Sequence, residues 1–161
     1  MIVIVMGVVG SGKTTVGRLL ADQLAWEFAD ADDFHPPSNV HRIHHGIALT
    51  DDDRWPWLQA LHEAITRWLS EGRNVVLACS ALKRAYRREL EVGPDVRFVY
   101  LKGSADLIAE RLRLRQGHFA DDKILASQFA DLEEPEGAVT VEIAAPPQQI
   151  VAEIRKKLGL G

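Results

Sequence analysis

The chain has 161 residues, about one domain's length, and 47% hydrophobic content, enough for a core that needs no disulfide or metal staple. Its formal net charge of −4 argues against a general nucleic-acid binder, which attracts phosphates through a broad positive field. The apolar residues fall in short runs, and the longest near the start, "MIVIVMGVV", is far below the length of a membrane span.

No basic segment precedes that first run and no small-residue cleavage site follows it. It therefore reads as a buried strand and not as a signal peptide, and the expected compartment is the cytoplasm. The single cysteine, Cys79, has no internal disulfide partner, which fits a reducing compartment. An anionic ligand would need a local basic patch, and "KRAYRR" (83–88) and "RLRLR" (111–115) are the two candidates.

In chain order, a strand is expected over residues 2–6, followed by "GVVGSGKT" and a helix over 13–24. Strand, G-x-x-x-x-G-K-[ST] and helix in succession form the context of a phosphate-binding P-loop. Gly7, Gly10 and Gly12 let successive backbone N–H groups and the helix N-terminus face a phosphate, an approach that bulky side chains would block. Lys13 is then expected to reach the β- and γ-phosphates and the Thr14 hydroxyl to bind a bridging magnesium ion. Ser11 and Thr15 are lesser contacts. A P-loop alone does not separate a kinase from a GTPase switch or a mechanical ATPase. The chain has no N-K-x-D-type guanine-reading element and is too short for most motor ATPases, which leaves a small-molecule or nucleotide kinase.

A second strand over 26–29 leads into "DADDFHPPSN" (30–39), with three carboxylates and a histidine in six positions and two prolines that stop any incoming helix. Ligands of a doubly wound sheet gather outside the carboxyl ends of its strands. Asp30 and Asp32, two apart at a fraying strand end, are expected to point into the cleft, with Asp33 turned away. Asp32 is the candidate base and Asp30 the candidate carboxylate on the magnesium side, through water. The rival reading is a transition-metal cage of Asp30, Asp32 and His35, with His41, His44 or His45. No recognised ligand spacing supports it, and a P-loop already implies a hard cation with oxygen ligands. His44 and His45 read as surface residues on a short helix ending at Gly46.

After "DRWPW", Trp57, Leu58, Leu61, Ile65, Trp68 and Leu69 recur at helical spacing, with the tryptophans as core. Strands over 74–79, 97–101 and 139–143 alternate with helices over 83–90, 104–115, 123–132 and 148–158, the last opened by Pro146 and Pro147. The whole pattern predicts an α/β fold with a five-stranded parallel sheet and helices on both faces. Residues 117–137, rich in charge and glycine, are a candidate flap.

At this point the residues resemble the gluconate kinases (gluconokinases), P-loop sugar-acid kinases of the shikimate-kinase-like group. The matching segments run nearly end to end: "GVVGSGKTTVGRLLA", "DADDFHPPSNVHRIHHGIALTDDDRWPWLQAL", "VLACSALKRAYRREL", "FVYLKG", "RLRLRQGHF" and "SQFADLEEPE". The resemblance implies one P-loop NTPase domain over 1–161, nucleoside-monophosphate-kinase-like, with a substrate-binding segment about 32–60 and a small lid about 116–137. It implies transfer of the γ-phosphoryl of ATP to the 6-hydroxyl of D-gluconate, with Mg2+ as cofactor and a homodimer as the common assembly.

Under that resemblance Lys13, Asp32 and Arg115 are catalytic, with Asp32 meeting the accepting hydroxyl and Arg115 approaching the phosphates from the lid. Arg54 binds the substrate, aided by His35, Lys83 and Arg87, and Arg111 lies against the adenine. A guanidinium suits the carboxylate of a sugar acid, while Asp51 and Asp53 either orient Arg54 or cap the following helix. The chain departs from the family pattern at Val9, where serine is usual, at Ile43, at Ala48 and in "ADD" after Phe119. Competing readings are a kinase of shikimate or another sugar acid, and a nucleotide sensor without turnover.

Overall fold

All five side chains of the first strand, β1 (Ile2–Met6), are buried. The two-residue period of a strand sends Ile2, Ile4 and Met6 into one core with Trp57, Leu61 and Leu90, and Val3 and Val5 into another with Val16, Leu20 and Ile154. A strand covered on both faces has no polar side, hence its unbroken apolar sequence. The computed structural model describes residues 1–116 and 120–161, with side chains described outside 115–123.

The other strands are β2 (Glu27–Asp30), β3 (Val75–Ala78), β4 (Val96–Lys102) and β5 (Val139–Glu142). They pair in the order β2-β3-β1-β4-β5, and every pair is parallel. The helices are α1 (Lys13–Leu24), α2 (Pro37–His44), α3 (Asp51–Ser70), α4 (Arg84–Leu90), α5 (Ala105–Gln116), α6 (Ala120–Asp131) and α7 (Pro147–Leu158). Residues of α1, α5 and α7 cover one face of the sheet, and residues of α3 and α4 cover the other. From β1 the chain goes first to β2 and β3 on one side and then to β4 and β5 on the other. The carboxyl end of β1 is therefore the switch point at which a crevice opens.

Three local departures from the sequence reading bear on that crevice. The segment after β2 does not fray as extended chain. It winds into a 3₁₀ turn over Ala31–Phe34, because the Asp30 carboxylate accepts the Asp32 N–H at 3.0 Å. Pro36 and Pro37 open α2 instead of barring a helix, with Pro37 in the first turn, where no N–H is needed. And α3 starts at Asp51, well before Trp57, because Thr50 and Asp53 form a capping box. In it Asp53 N–H donates to Thr50 Oγ1 at 3.2 Å and Thr50 N–H donates to Asp53 Oδ2 at 2.9 Å. Among the described residues, no helix is long and apolar enough to cross a membrane.

Candidate active site

The loop after β1 is built almost entirely from backbone. Gly12 caps α1 in the left-handed region (φ 95°), a conformation that costs glycine little, and no side chain caps the helix there. The first N–H groups of α1 are thus left to face a ligand, with the positive end of the helix dipole behind them. At Gly10 a β-carbon would come within 2.8 Å of Leu112 on α5, so the loop fits against α5 only with glycine at that point. Lys13 folds back over the loop, its Nζ donating to the Val8 carbonyl at 3.1 Å, while Thr14 and Thr15 stand exposed at the mouth. The Ser11 hydroxyl is buried without a hydrogen-bond partner among the described residues.

Beside the loop lies a cavity of about 390 Å³, walled by Gly10–Gly12, Arg111 and Leu112 of α5, and Ala144–Pro147 between β5 and α7. Arg111 is pinned there, its Nη2 donating to the Ile143 carbonyl at 2.6 Å. The shape is an apolar slot with a planar cation at its edge, next to a phosphate-binding loop.

Asp32 sits in the 3₁₀ turn at the end of β2, across the crevice from the loop. It is open to solvent along the cleft, yet desolvation by the surrounding protein pushes its carboxyl above the usual range. The Asp30 and Asp33 carboxylates add to that rise, and the Lys13 ammonium opposes it. A carboxylate that senses Lys13 in this way shares a cleft with the phosphate loop.

Beyond Asp32 the acceptor side is a side-chain network. Arg54, in the first turn of α3, donates from Nη1 to Tyr86 Oη at 2.9 Å and lies 3.6 Å from Asp131 Oδ2. Tyr86 Oη in turn donates to Asp51, which also holds Lys83 Nζ at 2.9 Å. The Tyr86 and Lys83 hydrogen bonds keep the Asp51 carboxyl below its usual range. The alternative left open for the two aspartates is thereby resolved: Asp53 caps α3 and pairs with Arg42, and Asp51 orients Arg54 through Tyr86. His35 stacks on Trp57, with ring centroids 4.5 Å apart and planes 12° apart. Burial, assisted by the Arg54 charge, holds its imidazole down at a pKa of about 4.

Arg87 departs from its expected place. It is buried, and its guanidinium donates to the carbonyls of Ala81 (2.8 Å), Leu82 (3.0 Å) and Glu133 (2.7 Å). These bonds hold the loop after β3, in which Ala81 takes the left-handed φ of 44°. Arg87 thus fixes the loop that carries Lys83, with its donors turned to backbone. Asp30 spends one carboxylate oxygen on its own turn. Cys79 is buried, and burial pushes its thiol up to about 12, which leaves it inert at neutral pH. The Arg115 side chain and the lid residues Gly117, His118 and Phe119 lie outside the described residues.

The sequence reading gave no site role to Tyr86 or Asn39, took Trp57 as core only, and carried the C-terminal half of α6 only as part of the flap. Gln128 Oε1 accepts the Val9 N–H of the phosphate loop at 2.6 Å, Asp131 approaches Arg54, and Glu133 accepts the Arg84 N–H at 2.9 Å. The segment "SQFADLEE" therefore runs from the phosphate loop to the acceptor network. The available signal was the spacing of Gln128 and Asp131, three apart on one helical face.

Comparison with known proteins identifies the family and the fold. A family model described as shikimate kinase matches residues 9–157. A probable gluconokinase of Xenopus tropicalis is 43% identical, the match covering 96% of this chain and 91% of that one. The gluconokinase of Gluconobacter oxydans (strain 621H) is 46% identical over 82% of this chain and 75% of its own length. The crystal structure of a gluconokinase from Sinorhizobium meliloti 1021 superposes with a TM-score of 0.89 at 42% identity, covering 98% of this chain and 91% of that one. The chain belongs to the gluconokinase family. Its five-stranded parallel sheet with helices matches the kinase structures it resembles.

Proposed function

We propose that the protein transfers the γ-phosphoryl group of ATP to the 6-hydroxyl of D-gluconate, giving 6-phospho-D-gluconate and ADP. The observation that carries this reading is the meeting of Lys13 and Asp32 in one crevice, with Arg54 held on the far side by Tyr86. Lys13 and the N–H groups of Gly10, Gly12 and the start of α1 bind the phosphates, with Gly7, Ser11, Thr14 and Thr15 completing the loop. The adenine occupies the apolar slot beside Arg111. Asp32 accepts the proton of the attacking hydroxyl, and its raised pKa makes it a stronger base than a free carboxylate. Arg54 receives the gluconate carboxylate through donors other than the Nη1 that Tyr86 engages, and Lys83 adds positive charge nearby.

Magnesium fits the donor set. The Thr14 hydroxyl, exposed at the mouth of the loop, and the Asp30 carboxylate, which commits Oδ1 to its own turn, are hard oxygen donors. Mg2+ is commonly held by one or two protein oxygens, and Thr14 and Asp30 are the candidates. When bound it supplies charge neutralisation on the β- and γ-phosphate oxygens. The proposal extends to residues 32–60 as the acceptor segment, to 116–137 as a lid with Arg115 reaching the phosphates, to a cytoplasmic location and to a homodimer.

The test is coupled ADP release with ATP and magnesium, comparing D-gluconate with shikimate and a panel of other sugar acids. Strong stimulation by gluconate alone is expected. Silence across the panel, with ATP still bound, would overturn the reading in favour of a nucleotide sensor.

A further inference from the structure

His35 follows Asp32 by three residues and lies near Arg54 in space, so it is the natural rival for the role of base. Its surroundings decide against that role. Asn39, on α2, is 2% exposed and places its Nδ2 2.6 Å from the Asp53 carbonyl and 3.3 Å from His35 Nδ1. A carbonyl oxygen only accepts, so the atom facing it is the amide nitrogen of Asn39, which settles the orientation of that side chain. The same nitrogen carries a second hydrogen, and it points to His35 Nδ1. An imidazole nitrogen accepts a hydrogen bond only when unprotonated, so the proton of the neutral ring resides on Nε2.

Two further contacts fix the ring. It stacks on Trp57, and Trp57 is itself held by the hydrogen bond from its Nε1 to the Ala31 carbonyl at 2.7 Å. The His35 amide bonds back to the Asp32 carbonyl at 3.4 Å, which ties the ring to the turn that carries the base. Among the described residues, Nε2 has no hydrogen-bond partner of its own.

We propose that Asn39 is a positioning residue that locks His35 in its Nε2–H tautomer, so that His35 donates one neutral hydrogen bond to an oxygen of the acceptor between Asp32 and Arg54. This rests on the kinase reading above and deepens it. A ring so locked has no lone pair to offer the acceptor, so the proton of the attacking hydroxyl goes to Asp32. It also divides the labour of recognition: Arg54 answers a carboxylate, Asp32 accepts from a hydroxyl, and His35 donates to an oxygen lone pair. An acceptor lacking that oxygen leaves the Nε2–H unpaired in a confined site, which is an effective basis for rejecting deoxy analogues.

The test has two arms. Long-range 1H–15N NMR of protein labelled with 15N-histidine reads the His35 tautomer without any substrate. The Nε2–H form is expected at pH 7, and an Nδ1–H form or an imidazolium overturns the proposal. In the second arm, Asn39→Asp replaces the donor by an isosteric acceptor and draws the proton to Nδ1. The gluconate KM is expected to rise by about 3- to 10-fold, the worth of one neutral hydrogen bond, with the ATP KM unchanged.

His35→Gln, whose amide nitrogen stands where Nε2 stood, should keep most of the affinity that His35→Asn loses. Asn39→Asp should then add little in the His35→Gln background. Equal rises in both KM values, or an undiminished Asn39→Asp effect without the histidine, would make Asn39 merely structural and overturn the proposal. Because the tautomer is read without substrate, a wild type inert toward gluconate refutes the kinase reading and leaves the lock to be judged by the first arm.

Discussion

The nucleotide side and the acceptor side of the crevice are made in different ways. On the nucleotide side a single run of eight residues, Gly7–Thr14, presents backbone N–H groups whose direction follows from the strand–loop–helix path itself. On the acceptor side the 3₁₀ turn, α2, the first turn of α3, the start of α4 and the end of α6 each contribute one or two side chains. A backbone site needs only the local path to be right, whereas a side-chain site needs five elements to be packed correctly. The first should therefore fail completely when its one cation is removed, and the second should lose function by degrees.

Lys13→Ala tests the first half of that contrast and carries the largest expected effect. Loss of the only loop cation should cut turnover by about 10³-fold or more, by the scale seen when a preorganised donor to developing charge is removed. The far-UV CD spectrum should stay native, since the Lys13 contact to the Val8 carbonyl is one bond at the mouth of the loop. Retained turnover would mean that the helix N-terminus alone suffices.

Asp32→Asn follows, with turnover expected to fall by about 10²- to 10⁴-fold. Its stability effect runs the other way. The folded state raises the Asp32 pKa, so ionisation costs more in the folded than in the unfolded chain. Stability from this group is full below the ordinary carboxylate range, and it is lost as pH rises through the raised value. The Asn variant should thus melt higher than wild type at pH 7 and no differently in acid below the ordinary carboxylate pKa. A variant that loses both activity and stability at pH 7 would mark Asp32 as a structural residue.

Arg54→Lys should raise the gluconate KM by about tenfold and leave the ATP KM nearly unchanged, because a point charge replaces a planar fork. Equal rises would move Arg54 toward the phosphates and erase the distinction between the two sides.

The same distinction explains how far the sequence could be read. β1, α1 and the phosphate loop were legible because periodicity and glycine placement are local properties. Strand and helix boundaries elsewhere differ by a few residues, as where Asp53 closes a capping box and starts α3 early. At the acceptor side, chemistry alone pointed to Asp32, and Arg54 came from the resemblance to gluconokinases. Arg87 looked like a substrate cation because its type and neighbourhood were visible, whereas its three carbonyl partners exist only after folding. Asn39 and Tyr86 carried no signal, since an asparagine in a short helix and a tyrosine between arginines are ordinary until α3 is laid across them.

Tyr86→Phe is the smallest change and the sharpest probe of that network. The hydroxyl joins Arg54 to Asp51, and Asp51 joins Lys83, so one oxygen connects three charged groups. Burial and the bond to Asp51 raise the phenol pKa, so the group donates to Asp51 and accepts from Arg54 throughout the neutral range. Deleting it leaves the ring and its contact with the Arg54 guanidinium in place and frees the arginine to turn. The expected result is a gluconate KM higher by about 2- to 5-fold, within the scale of a single hydrogen bond, with turnover at saturating gluconate and the ATP KM unchanged. Combined with Arg54→Lys it should add less than it does alone, because the hydroxyl acts through the arginine. Full additivity would show that Tyr86 meets the acceptor directly, and the acceptor side would then be less a network than a row of independent contacts.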